Sequence, residues 1–137
     1  MQLYSLTGPL WKDYDRAWVC FDKSDARSLL SEERKYWGYF PTNRNIPNLF
    51  RNTILAWKIL RKERPDCVIS TGAGIAVPYL LLGRVFGMET VYIESFARKN
   101  NLSLTGRLVY WFVTNFFVQS EKLGSQYRKA MFRGTIY

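Results

Sequence analysis

The chain has 137 residues, 47% of them hydrophobic and 17% aromatic, which allows one core and one domain (1–137) and excludes a disordered chain. It carries a net charge of +9, which points to an anionic partner: nucleic acid, an anionic membrane surface or a phosphorylated substrate. It has no histidine, which excludes Ser/His/Asp and Cys/His catalysis and argues against a metal site.

In chain order, residues 2–7 read as the end of a helix stopped by Gly8-Pro9. Residues 17–21 form a buried-type strand. Ser24 or Asp25 caps a short helix to Arg34, with Asp25 favourably placed at its positive end. Residues 36–40 are a brief aromatic strand closed by Pro41, and 41–47 a polar loop at a strand end. Pro47 suits the first turn of a helix over 47–64. Ile46, Leu49, Phe50, Thr53, Ile54, Trp57 and Leu60 recur at helical spacing and are expected in the core. Opposite them run Arg51, Leu55, Lys58 and Lys62, a basic face that is either plainly solvated or rests on anionic lipid headgroups.

The stretch that follows organises the chain. Residues 67–70 read as a buried strand, Gly72 to Gly74 as a glycine turn, and the apolar run after it as a helix. A second strand over 90–93 ends on Glu94. Continuous β-branched runs flanking a helix imply parallel strands covered on both faces, with ligands held at the carboxyl ends of the strands. The two cysteines, Cys20 and Cys67, fall inside these strands and read as small buried hydrophobes. After Glu94 comes the polar, basic loop 95–101. A helix is expected over 104–113, a strand over 116–119, a helix from Ser120 or Glu121 to Lys129, and a last strand or linker from Phe132. Trp18, Trp57, Trp111 and the Phe116-Phe117 pair are expected in the core rather than on a nucleic-acid stacking platform. The alternation gives an α/β, doubly wound parallel sheet. No stretch reaches the ~18 apolar residues of a spanning helix and the first residues lack signal-peptide features, so a cytosolic chain is expected.

Chemically, Gly72-Ala73-Gly74 lets the backbone approach a ligand and turn N–H groups toward an anion. It is neither the dinucleotide fingerprint, since Val77 stands where the third glycine belongs, nor a phosphate-binding loop with its Lys-Ser/Thr. Glu94, at a strand exit, could accept hydrogen bonds from sugar hydroxyls; it could equally pair with Arg98 or cap a helix. It is the one candidate for proton transfer, with no second carboxylate beside it. Arg98 and Lys99 suit a phosphate.

At these residues a resemblance enters. Ser70-Thr71-Gly72-Ala73-Gly74, Val77-Pro78, Tyr92-Ile93-Glu94-Ser95, Leu102-Ser103-Leu104-Thr105-Gly106 and Val118-Gln119, in that order, resemble the N-terminal-half subunits of split GT-B glycosyltransferases. These include bacterial exopolysaccharide subunits of the PssD and CpsF kind. Their eukaryotic counterpart is the membrane-anchoring subunit of the transferase that adds the second N-acetylglucosamine to a dolichol-linked saccharide. Trp18 to Lys23 and Thr42 to Asn48 look like the bacterial branch, and the single-chain MurG is a more distant likeness. The resemblance implies a Rossmann-like, acceptor-side half of a GT-B fold. It implies a catalytic C-terminal-half partner subunit that binds most of a UDP-sugar, a lipid-diphosphate saccharide acceptor, and peripheral attachment to the cytoplasmic face of the membrane. No cofactor, metal or nucleic acid is implied. Thr71, Gly72, Ala73, Gly74, Glu94, Ser95 and Arg98 would bind acceptor and diphosphate, while Arg51, Lys58 and Lys62 would face the membrane. Family members place a first strand and a Gly-Gly-His loop before the helix that here starts at Met1. Neither occurs in this sequence, so an N-terminally truncated domain with a groove of unpaired backbone is expected. A stand-alone nucleotide-sugar-binding enzyme is the alternative, and a basic nucleic-acid-binding module a third.

Overall fold

The structure, a computed structural model, describes residues 14–22, 24–39, 46–71, 75–94 and 100–133. The helix read over 2–7 and the polar loop at 41–45 therefore lie outside the described residues. Among the described residues, six strands and five helices follow in chain order: β1 (Trp18–Phe21), α1 (Ser24–Leu29), β2 (Lys35–Gly38), α2 (Ile46–Glu63), β3 (Cys67–Ser70), α3 (Ala76–Val85), β4 (Glu89–Ile93), α4 (Leu104–Val109), β5 (Asn115–Val118), α5 (Glu121–Gln126) and β6 (Ala130–Phe132). Every strand pair is parallel. The strands fall into a two-stranded sheet, β1-β2, and a four-stranded sheet, β3-β4-β5-β6, with no ladder from β1 to β3 among the described residues.

The order β3-β4-β5-β6 advances one strand at a time in one direction. Right-handed crossovers then place α3, α4 and α5 on one face of the sheet. α2 packs along α3, and α3 along α4, so these three form one layer. Gly83 lets α3 come close, since a Cβ there would meet Val68 Cγ2 at 3.1 Å and Thr90 Cγ2 at 3.3 Å. The ladder between β4 and β5 is lengthened by side chains: Thr90 N–H donates to Thr114 Oγ1 (3.0 Å) and Thr114 N–H to Thr90 Oγ1 (2.9 Å).

Two hydrophobic clusters make the core. One gathers Leu80, Tyr92, Val109, Val113, Phe116, Val118 and Leu123 between α3–α5 and the larger sheet. The other joins Ala56, Ile59 and Leu60 of α2 to Ile75 and Tyr79, with Val19, Phe21, Tyr36 and Val68 packed against it, so it bridges both sheets. At the strand starts, Arg16 pairs with Glu33 and Arg34 with Glu63 (3.0 Å), tying the lead-ins of β1 and β2 to the end of α2.

Several expectations are corrected. α1 stops at Leu29 and α4 at Val109, where turns take over. Cys67 is exposed because it is the first residue of β3, just past the Pro65-Asp66 bend, while Cys20 is half-buried. Of the aromatic residues placed in the core, Trp18 and Phe116 are buried, but Trp57 is 44% and Trp111 81% exposed. The largest correction concerns α2. Its buried residues are Asn48, Asn52, Ala56, Ile59 and Leu60, whereas Ile46, Leu49, Phe50, Ile54 and Trp57 are exposed. The helix has two apolar rows, and the one with small and amide side chains lies inward. Asn52 accepts from Tyr39 N–H (2.8 Å) and donates to Tyr39 C=O (3.0 Å), which satisfies its buried amide and pins the chain after β2.

Candidate functional site

β3 and β4 lie side by side with Ser70 opposite Tyr92. Their carboxyl ends thus lie on one edge, where Thr71, half-buried, follows β3 and Glu94, 1% exposed, follows β4. Gly72, Ala73, Gly74, Ser95 and Arg98, the other residues read as a site, lie outside the described residues, as does Lys99.

Glu94 is held on every side. Its N–H donates to Phe117 C=O (2.8 Å), continuing the β4–β5 ladder one residue past the strand. Its C=O accepts from Gln119 Nε2 (3.0 Å). Its carboxylate accepts from Ser103 N–H (2.9 Å, Oε2), from Ser103 Oγ (3.0 Å to each oxygen) and from Tyr92 O–H (3.4 Å, Oε1). Ser103 is the N-cap of α4, and its Oγ accepts from Gly106 N–H (3.0 Å). One carboxylate thus joins the end of β4 to the start of α4. A buried charge is tolerable only with such full hydrogen bonding. Gly106 is part of the arrangement. A Cβ there would lie 2.3 Å from Glu94 Oε2, so a side chain at this position would evict the carboxylate. At the loop's other end Leu102 is buried in the core, and Lys122 donates to Asn100 Oδ1 (3.2 Å).

Reading the sequence brought Glu94 and Thr71 to one edge, but it missed the roles of Ser103, Gly106, Tyr92 and Gln119. The signal for Ser103 was present: a serine directly before a helix whose third following residue is glycine. The basic residues read as membrane-facing, Arg51, Lys58 and Lys62, are all exposed on α2. Arg51 and Lys62 lie over the rings of Tyr39 (5.7 Å) and Tyr36 (5.6 Å). A shallow groove of about 270 Å³ opens elsewhere, between Trp57, Leu60, Arg61 and Arg64 of α2's end and Phe86 and Met88. Among the described residues no helix is long and apolar enough to cross a membrane.

A parallel sheet with a helix layer on one face and a buried carboxylate at a strand exit belongs to the Rossmann-like class. The solved structure of Acinetobacter baumannii MurG matches it with a TM-score of 0.66 at 15% identity, over 86% of this chain and 37% of that one. The fold is thus that of one half of a GT-B protein. Residues 41–136 match the family described as "Oligosaccharide biosynthesis protein Alg14 like", and the chain belongs to that family. Among similar proteins, the UDP-N-acetylglucosamine transferase subunit ALG14 of Eremothecium gossypii is 38% identical over 103 residues, 66% of this chain and 46% of that protein. The Schizosaccharomyces pombe subunit is 36% identical over 77 residues (53% and 37%), and the human subunit 27% over 130 residues (84% and 60%). The chain thus spans between 37% and 60% of the lengths of these relatives.

Proposed function

We propose that this chain is the acceptor-side subunit of a two-chain glycosyltransferase. It would transfer a sugar of the N-acetylglucosamine, galactose or glucose type from a UDP-sugar to a lipid-diphosphate-linked saccharide. The relatives' names favour N-acetylglucosamine. The observation that carries the reading is the match of residues 41–136 to the Alg14-like family, whose similar members are named as subunits of a UDP-N-acetylglucosamine transferase. Most of the UDP-sugar contacts would come from a separate catalytic subunit, and no further cofactor enters.

In this reading Thr71 and Gly72 to Gly74 face the acceptor diphosphate, while Ser95 and Arg98 line the cleft, where a guanidinium can hold a phosphate by paired, charge-assisted hydrogen bonds. The carboxylate of Glu94 is engaged by Ser103, so Glu94 acts by fixing the loop that carries Ser95 and Arg98. Exopolysaccharide synthesis in the bacterial manner is the finer form of the proposal. Attachment is peripheral, at the cytoplasmic membrane face, through the basic row Arg51, Lys58 and Lys62.

The test is co-expression with the product of the neighbouring gene, followed by an assay of transfer from UDP-sugars to a lipid-diphosphate acceptor. Transfer that needs both chains is the expected result. Transfer by this chain alone would favour a stand-alone enzyme, and salt-sensitive nucleic-acid binding without transfer would favour the basic-module reading.

A further inference from the structure

β5 ends on Val118, and an amide, Gln119, follows the apolar run Phe116-Phe117-Val118. Gln119 is 7% exposed. The chain bends there and runs on through Ser120, the N-cap of α5. In a regular parallel ladder, Glu94 would donate its N–H to Phe117 C=O and accept from the main-chain N–H of residue 119. The first bond is made (2.8 Å), but the second comes from the Gln119 side chain, whose Nε2 donates to Glu94 C=O (3.0 Å). The side chain thus serves as the ladder's last rung, so β5 can leave for α5 while the end of β4 stays tied to it.

This bond differs in kind from those on the carboxylate. Ser103 and Tyr92 hold the side chain of Glu94 and tie it to the start of α4, whereas Gln119 holds its main chain. A peptide group is planar, so fixing the C=O of residue 94 fixes the plane through which the chain passes to residue 95. Donor and acceptor are both buried, where a hydrogen bond is stronger than in water and an unpaired group costs more. The reach matters as much as the amide: asparagine carries the same N–H donors on a side chain one methylene shorter.

We infer that Gln119 is a positioning residue for transfer: by holding the main chain of Glu94, it sets the direction in which the chain leaves β4. The inference rests on the function proposed above, in which Ser95 and Arg98 line the cleft, and it adds a residue that touches neither sugar nor acceptor. It also separates two roles at Glu94, a carboxylate anchored to α4 and a main chain anchored to β5. Removing the amide leaves the bonds of the carboxylate in place and frees the peptide alone. Acceptor binding then weakens, while the UDP-sugar site on the partner subunit does not.

Steady-state transfer by the co-expressed complex tests this, with the UDP-sugar and a lipid-diphosphate-linked N-acetylglucosamine varied in turn. Gln119→Met keeps the length and removes the donor. It is expected to raise the acceptor KM about three- to tenfold, the worth of one hydrogen bond, with the UDP-sugar KM unchanged. Gln119→Asn, whose amide falls short of the carbonyl, is expected to show the same split, and it carries the test if circular dichroism shows Gln119→Met unfolded. With Arg98→Ala added, the acceptor KM is expected to rise no further than in Arg98→Ala alone, because Gln119 acts through the segment that carries Arg98. A fall in kcat with both KM values as in the parent would mean that the amide only supports the fold, and overturns the inference, as do additive effects in the double variant. Transfer by the parent with an unchanged acceptor KM in both Gln119 variants overturns it while the proposed function stands. No transfer by the parent complex overturns both.

Discussion

Glu94 shows how much one side chain can carry. Its carboxylate collects Ser103 N–H, Ser103 Oγ and Tyr92 O–H while its main chain is bonded to Phe117 and Gln119. Glu94→Ala would leave these donors unpaired in a buried site, a cost of roughly 1–3 kcal/mol in urea unfolding. In the co-expressed complex it is expected to lower transfer while vesicle flotation stays unchanged; equal turnover would remove Glu94 from the loop's function. Gly106→Ala is expected to reproduce the defect from the other side, because its Cβ collides with Oε2. A Gly106→Ala chain as stable and active as the parent would show that the carboxylate has room. At the opposite end of the strands, the Arg16 guanidinium holds the Glu33 carboxyl below its ordinary value of 4.5. The pair therefore adds stability above that value, and the gain is lost as the pH falls through the lowered folded-state pKa. Glu33→Gln is expected to cost about 1 kcal/mol at neutral pH and to flatten the acid limb of the unfolding profile. The strand-exit position of Glu94 was legible in Val91-Tyr92-Ile93-Glu94; its burial was not, since the partners that bury it are 9 and 25 residues further on.

At the scale of elements, α2 teaches the most. Its period was legible, but its orientation was not. Ile46, Phe50, Ile54 and Trp57 form as regular a row as Asn52, Ala56, Ile59 and Leu60, and a period alone does not say which row meets the sheet. The inward row won because it packs closely against α3 and the second cluster, where Ala56 is fully buried. Phe50→Ser is accordingly expected to leave the midpoint of urea unfolding within about 0.5 kcal/mol of the parent. Ala56→Leu, which overfills the contact, is expected to cost about 1–3 kcal/mol. The reverse ranking would restore the exposed row to the core. The strands β3, β4 and β5 were each legible to within a residue, as continuous apolar runs bounded by turns. α4 was overextended because Tyr110 to Val113 are as apolar as a helix face; they leave the helix in a turn that buries Val113 in the core.

At the scale of the whole molecule, the parallel order β3-β4-β5-β6 puts every strand exit of that sheet on one edge and α2, α3 and α4 in one layer. By itself the sequence determined the α/β class, the strand and helix succession and the family, because these depend on local period, glycine and proline positions, and motif order. Only the tertiary structure decided which face of α2 is outside, that Glu94 is a buried clamp, and that the Gln119 side chain completes the β4–β5 ladder. Those properties come from contacts between residues far apart in the chain, which a local pattern does not encode.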